Sequence, residues 1–233
     1  MGTTHFSGVT NIPAGHPLRG LGTMHPARWL IDFDDFFKDE TGIATAYTET
    51  VVGTGTSVLT AGDGGLLLIT NSAAAPDSVA LQRPVANMRL STAFDAFFET
   101  RLKISDVTQS LLVAGLQSDD TTPFAVTDGI YFDKPDGSAV VNLAMFKAST
   151  GSVTLVSGVH TMVDDTFVEL AWYYDASNAR LYFGADRVIK GYTETLTNFP
   201  NTVDLTASLA MQNGEAVAKN MTVDYWLAGR ARF

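Results

Sequence analysis

Apolar and polar positions alternate with period two along most of the chain from residue 71 onward. In Phe98-Glu99-Thr100-Arg101-Leu102-Lys103-Ile104 the charged Glu99, Arg101 and Lys103 share one face and Phe98, Leu102 and Ile104 the other. That pattern predicts a half-buried strand. Leu111 to Leu116 is a more continuous apolar run and predicts a more deeply buried one. Ile130 to Phe132 and Ala139 to Phe146 flank Lys134-Pro135-Asp136-Gly137, a turn sequence, and together predict a hairpin. A second hairpin is predicted from Phe167 to Tyr174, through Asp175 to Asn178, and back along Arg180 to Phe183. Val153 to Val159 reads as a further strand. So does Met221 to Ala228, with Val223, Tyr225 and Leu227 expected on one face and Asp224 and Trp226 on the other.

Turns bracket earlier strands as well. Gly53-Thr54-Gly55 and Gly62-Asp63-Gly64-Gly65 lie on either side of a short β-prone run. After Pro26, Trp29, Leu30, Phe33, Phe36 and Phe37 fall at helical spacing, and a short helix and an edge strand are both open there. Short strands recurring with turns between them predict an all-β sandwich or jelly roll. At 233 residues such a fold is ordinarily a single domain.

The first 31 residues do not share this texture. They contain five glycines, three prolines, His5, His16, His25, Arg19 and Arg28, and no acid. All 25 acids and the other 13 basic residues follow, so the net charge of −10 divides into a slightly basic arm and a strongly acidic body. We divide the chain into an extended arm, residues 1–28, and a sandwich domain, residues 29–233. The acidic balance argues against nucleic acid and anionic membranes as partners, since both select clustered Lys and Arg. Cysteine is absent, which excludes disulfides, thiolate zinc sites and a thiol nucleophile. The N-terminus has neither the basic nor the apolar region of a signal peptide.

The residues predict no catalytic, metal or cofactor site. Glycoside hydrolysis needs two carboxylates facing one groove, and no strand carries acids in that pattern. Asp32, Asp34 and Asp35 crowd among phenylalanines, while Asp119-Asp120 and Asp164-Asp165 read as turns. Asp119, Asp120, Asp128, Asp133 and Asp136 read as loop acids and suit calcium chemically, but their spacing matches no EF-hand loop. His160 reads as a surface residue of a strand or its flanking turn. No nucleophile elbow and no phosphate-binding glycine loop is present. Trp172, Tyr174 and Trp226 could form a platform for sugars, against which stands their use as core.

Three segments in order, Ile31-Asp32-Phe33-Asp34-Asp35-Phe36, Gly64-Gly65-Leu66-Leu67-Leu68 and Phe98-Glu99-Thr100-Arg101-Leu102-Lys103, resemble the opening half of a concanavalin A-like, or laminin-G-like, jelly roll. Thr3-Thr4-His5-Phe6-Ser7-Gly8, Asp128-Gly129-Ile130-Tyr131-Phe132, Trp172-Tyr173-Tyr174-Asp175 and Asn213-Gly214-Glu215-Ala216 resemble structural proteins of tailed bacteriophages. The resemblance implies a non-enzymatic capsid decoration, or cement, protein on the virion exterior. Its partners would be the major capsid protein and itself, as a homotrimer. Phe6, Ile12, Leu18, Arg19, Leu21, Met24, Arg28 and Trp29 are the arm residues expected to contact a partner. The alternative is a carbohydrate-binding module built on Trp172, Tyr174 and Trp226. The glucanase motif of the fold, Glu-x-Asp-x-x-Glu on a strand, is missing.

Overall fold

The computed structural model describes residues 28–37, 43–62 and 64–232, with only the backbone of residues 44 and 45. The chain enters through β1 (Trp29–Asp34), one helical turn α1 (Ile43–Ala46), β2 (Thr48–Val52), β3 (Gly55–Thr60), β4 (Leu66–Asn71) and β5 (Ser78–Gln82). It continues through β6 (Ala96–Ile104), β7 (Ser110–Gln117), β8 (Gly129–Lys134), β9 (Val140–Lys147) and β10 (Thr150–Thr161). It closes with β11 (Val168–Asp175), β12 (Arg180–Ala185), β13 (Val188–Thr193), β14 (Thr206–Asn213) and β15 (Asn220–Ala231).

Two antiparallel sheets form a sandwich. Sheet A runs β13-β12-β11-β6-β15-β4-β3, and β1 also pairs with β15. Sheet B runs β10-β9-β8-β7-β14-β5-β2. The alternating strands behave as their sequences require. β6 buries Phe98, Leu102 and Ile104 and turns Glu99, Arg101 and Lys103 outward. The hairpins β8–β9 and β11–β12 form with the expected turns, and β3 lies between the two glycine turns. Between the sheets lies one continuous apolar core that includes Leu67, Phe98, Leu112, Phe132, Leu143, Trp172, Leu209 and Trp226.

One open alternative is decided and one expectation changes. Of the two readings for residues 29–34 the strand forms, paired in register with the C-terminal strand from Trp29↔Ala231 to Asp34↔Trp226. In β15 the pairing with β6 slips between Val223 and Tyr225, which leaves Asp224 as an extra residue. Such a bulge reverses the alternation beyond it. Met221 and Val223 point inward before it, and Trp226 and Ala228 after it, while Tyr225 and Leu227 turn out.

Candidate functional site

The three rings proposed as a sugar platform are core residues. Trp172, Tyr174 and Trp226 are each 1% exposed. On β11 strict alternation puts Trp172 and Tyr174 inside and Tyr173 outside, and the Asp224 bulge turns Trp226 inward. None of the three can stack on a sugar. Trp29 is also corrected as a partner anchor. Its ring packs edge-on against Phe97 at 5.6 Å, in a cluster with Tyr173 on the outer side of sheet A. Arg28 is exposed, and its carbonyl accepts from Arg232 N–H. Phe6, Ile12, Leu18, Arg19, Leu21 and Met24 lie outside the described residues.

Arg83 organises the first polar cluster. Its Nη2 donates to Asp32 Oδ1 at 3.2 Å and to Asp34 Oδ2 at 3.1 Å. The guanidinium lies 4.6 Å from the Tyr47 ring centroid and 4.9 Å from that of Trp226. Tyr47 donates its hydroxyl to Asp34 Oδ2 at 2.7 Å and accepts from Trp226 Nε1 at 2.9 Å. Burial, opposed by Arg83, raises the Asp32 carboxyl pKa. Burial also drives the Tyr47 phenol far above its ordinary value. An open pocket of about 360 Å³ adjoins Asp32 and Arg83, walled by Leu30, Ile31, Pro84 and Val85. The charges are spent on one another, so the cluster pins β1 to the body.

The outer face of sheet B differs. Small residues, Ala80, Ala210, Val113 and Ala144, floor it, and Tyr131 stacks on Phe146 at 6.3 Å and 15°. Two positions along from Tyr131 stands Asp133, opposite Asn142 on β9 and Val113 on β7. Burial pushes its carboxyl up to about 6. No hydrogen bond from the described residues reaches that carboxylate. Tyr131 is itself 2% exposed, packed with Val126 and Phe124, so the carboxylate and not the ring pair is what this face offers a hydroxylated ligand. The sequence placed Asp133 among loop acids, and only its alternation with Tyr131 could have signalled the shared face.

Carboxylates do meet elsewhere, across strands. On the outer face of sheet A, Glu99 of β6 accepts from Tyr225 Oη at 2.6 Å, and Glu169 of β11 accepts from Arg187 Nε at 3.0 Å. Burial raises the Glu99 pKa, and the Tyr225 hydrogen bond opposes it. Asp224 is paired with Arg101. Each acid here already has a donor.

Asp120, Asp128 and Asp164 each accept from a backbone N–H. Asp120 Oδ1 accepts from Thr122 N at 2.8 Å, and buried Asp128 accepts from Ala148 N at 3.1 Å. Asp136 sits where Gly214 leaves room, since a Cβ there would clash with its carboxylate. Among the described residues no three His or acidic side chains converge as metal ligands. His160 lies on β10 with Nδ1 3.9 Å from Asp186.

The architecture defines a lectin-like β-sandwich, and solved structures bear this out at the level of fold. The chain is similar to the potassium-bound carbohydrate recognition domain of Emp46p, at 11% identity and TM-score 0.59, over 84% of this chain and 94% of that one. It is similar to peanut lectin at 12% identity and TM-score 0.55, over 87% and 97%. It is also similar to a carbohydrate esterase of the Shiga toxin-encoding bacteriophage phi24B, at 13% identity and TM-score 0.54, over 86% and 97%. No protein-family model and no curated protein matches the sequence.

Proposed function

We propose that this is a non-enzymatic structural protein of a tailed-phage particle, in which the sandwich decorates a capsid and the segment before Arg28 attaches it to the major capsid protein. The observation that carries the reading is the division of charge: 31 acid-free residues precede a body that holds all 25 acids. β1 is locked to β15 and tied by Asp32 and Asp34 to Arg83, so Trp29–Asp34 is part of the sandwich and not of the attaching segment. A phage-encoded protein of the same fold is consistent with this setting. Deleting residues 1–27, which spares Arg28 and the buried Trp29, should leave the melting transition intact and abolish co-sedimentation with undecorated heads. Undiminished binding by the truncated protein would remove the arm from the mechanism.

A second reading, carbohydrate binding, rests on the Asp133 carboxylate, which no described donor reaches, and fold neighbours include a carbohydrate recognition domain and a lectin. Glycan-array binding by the wild type that Asp133→Ala removes would favour it over capsid attachment.

A further inference from the structure

Among the described residues β1 pairs with β15 and with no other strand. Its backbone groups alternate between the two sides. Arg28 C=O accepts from Arg232 N, so in this register Leu30, Asp32 and Asp34 spend their backbone groups on β15. Those of Ile31 turn to the open side, where no described residue meets them. The pocket of about 360 Å³ is lined by Leu30, Ile31 and Asp32 of β1, and by Pro84, Val85 and Asn87 of the β5–β6 connection. Consecutive strand residues point to opposite faces, so a cavity touched by all three lies along the edge of β1.

The two carboxylates tied to Arg83 are not equivalent. Asp34 Oδ1 accepts from Phe36 N at 2.8 Å, and its Oδ2 accepts from Arg83 and from Tyr47 Oη. Asp32 accepts only from Arg83, through Oδ1, and its Oδ2 meets no donor among the described residues. One guanidinium serves two carboxylates, so a negative charge remains beside the groove. Burial makes that carboxylate costly to keep charged, and a cation beside it offsets the cost. Leu30, Pro84 and Val85 around it are apolar, and Val85 is 65% exposed. A lysine or arginine stem can cover such a surface while its head reaches the acid. Sheet edges take extended peptides through main-chain bonds, with pockets for alternate side chains giving specificity.

We propose that this groove binds an extended basic segment of a partner protein, which adds antiparallel to the open edge of β1 and sets an arginine or lysine opposite Asp32. The partner residue opposite Ile31 exchanges both backbone hydrogen bonds with it. The residue opposite Leu30 points the same way as the basic one and is apolar, against Pro84 and Val85. Antiparallel order makes the motif basic–any–apolar, read from the amino end. Acidic segments are repelled by Asp32 and by a chain of net charge −10. The groove uses none of residues 1–27, so the inference is independent of the capsid reading.

Chemical-shift titration of the isotope-labelled full chain tests it, with the capped peptide Thr-Arg-Thr-Val-Thr as probe. Shifts should concentrate in β1 and in the stretch from Arg83 to Asn87. Replacing the probe's arginine with glutamate tests the charge. N-methylating its central threonine, the residue that faces Ile31, tests the main-chain ladder. Each change should weaken binding about tenfold. Asp32→Asn should weaken the arginine probe to a similar degree and narrow the gap between the arginine and glutamate probes, with a melting curve checking that Asp34 still holds Arg83. Free arginine acting as well as the peptide would reduce the groove to a cation pocket, and an N-methylated probe that binds undiminished would remove the added strand. Resonances of β1 that move when the protein alone is diluted would put a second copy there. Each of these results overturns the inference, as does a full chain that answers no probe, whether its own leader fills the groove or nothing does.

Discussion

Asp133 and Lys134 are neighbours on β8, on opposite sides of sheet B, and the fold treats their charges in opposite ways. Lys134 points inward and is 0% exposed. Its ammonium donates to the carbonyls of Val107, Ser110, Pro135 and Ser138, gathering the β6–β7 and β8–β9 connections at one end of the sandwich. Asp133 points outward beside the Tyr131–Phe146 stack, with no donor from the described residues. A desolvated charge ringed by partners is scaffold. A desolvated charge without them costs stability, and a ligand donor that reaches it recovers that cost. On this contrast the Lys134 charge holds the fold together and the Asp133 charge costs it stability.

The largest effect should come from removing the partnered charge. Lys134→Met keeps much of the volume and strands two buried and two part-buried carbonyls. Loss of about 3 kcal/mol is expected, the scale seen when one side of a buried polar contact is deleted. For a chain of this size that lowers the melting temperature by roughly 6–12 °C. A variant that melts like the wild type would show that the ammonium is not what holds these loops.

Asp133→Asn should do the reverse at neutral pH. The carboxyl titrates at about 6 in the folded chain, against 3.8 as the ordinary value. The folded state therefore holds the extra proton between those limits, and this group's contribution to stability grows as pH falls from 7 towards 4. Replacing the acid with its neutral isostere should gain about 1–2 kcal/mol at pH 7 and nothing near pH 4. Denaturant titrations of both proteins at pH 7, 5.5 and 4 would show the curves converging. Parallel curves would mean that the carboxylate has a donor in solution. Asp106 supplies the opposite control. Lysine 219 holds its carboxyl down to about 2, so its contribution is lost only as pH drops below 4.

Faces were legible where one side of a strand meets water, whereas β5, β7 and β14 are buried along nearly their whole length and show no such alternation. β6 alternates charge with bulk, and its sequence fixes both faces. On β11 the sequence Trp172-Tyr173-Tyr174 is aromatic on both faces, so alternation grouped Trp172 with Tyr174 but could not say which side was buried. Outside, Tyr173 pairs with Tyr182 of β12 and Tyr182 with Tyr192 of β13, a row of rings set by register across three strands. The Asp224 bulge inverted the end of β15, and nothing in a local window marks an extra residue. Trp29 looked like an arm residue because the residues before it are Gly- and Pro-rich, yet its partner Phe97 lies on a central strand. Arg83 gave no signal, since its acids, Asp32 and Asp34, reach it only after β1 pairs with β15. Glu99 and Glu169 likewise meet only across a ladder.

The smallest effect should sharpen the contrast on sheet A, where outward carboxylates are partnered. Tyr225→Phe removes the 2.6 Å hydrogen bond to Glu99 and leaves a desolvated carboxylate as bare as Asp133. A loss of about 1 kcal/mol is expected at pH 7. Burial raises the Glu99 pKa, so acidification neutralises the stranded group, and the loss should shrink towards pH 4. Glu99→Gln in the Tyr225→Phe background should recover part of it at pH 7, because an amide costs less than a carboxylate to leave dry. A double-mutant cycle measures the coupling directly. Zero coupling would place the Glu99–Tyr225 contact in effectively full solvent, and the difference between a partnered acid on sheet A and a bare one on sheet B would then lie in exposure rather than in hydrogen bonding.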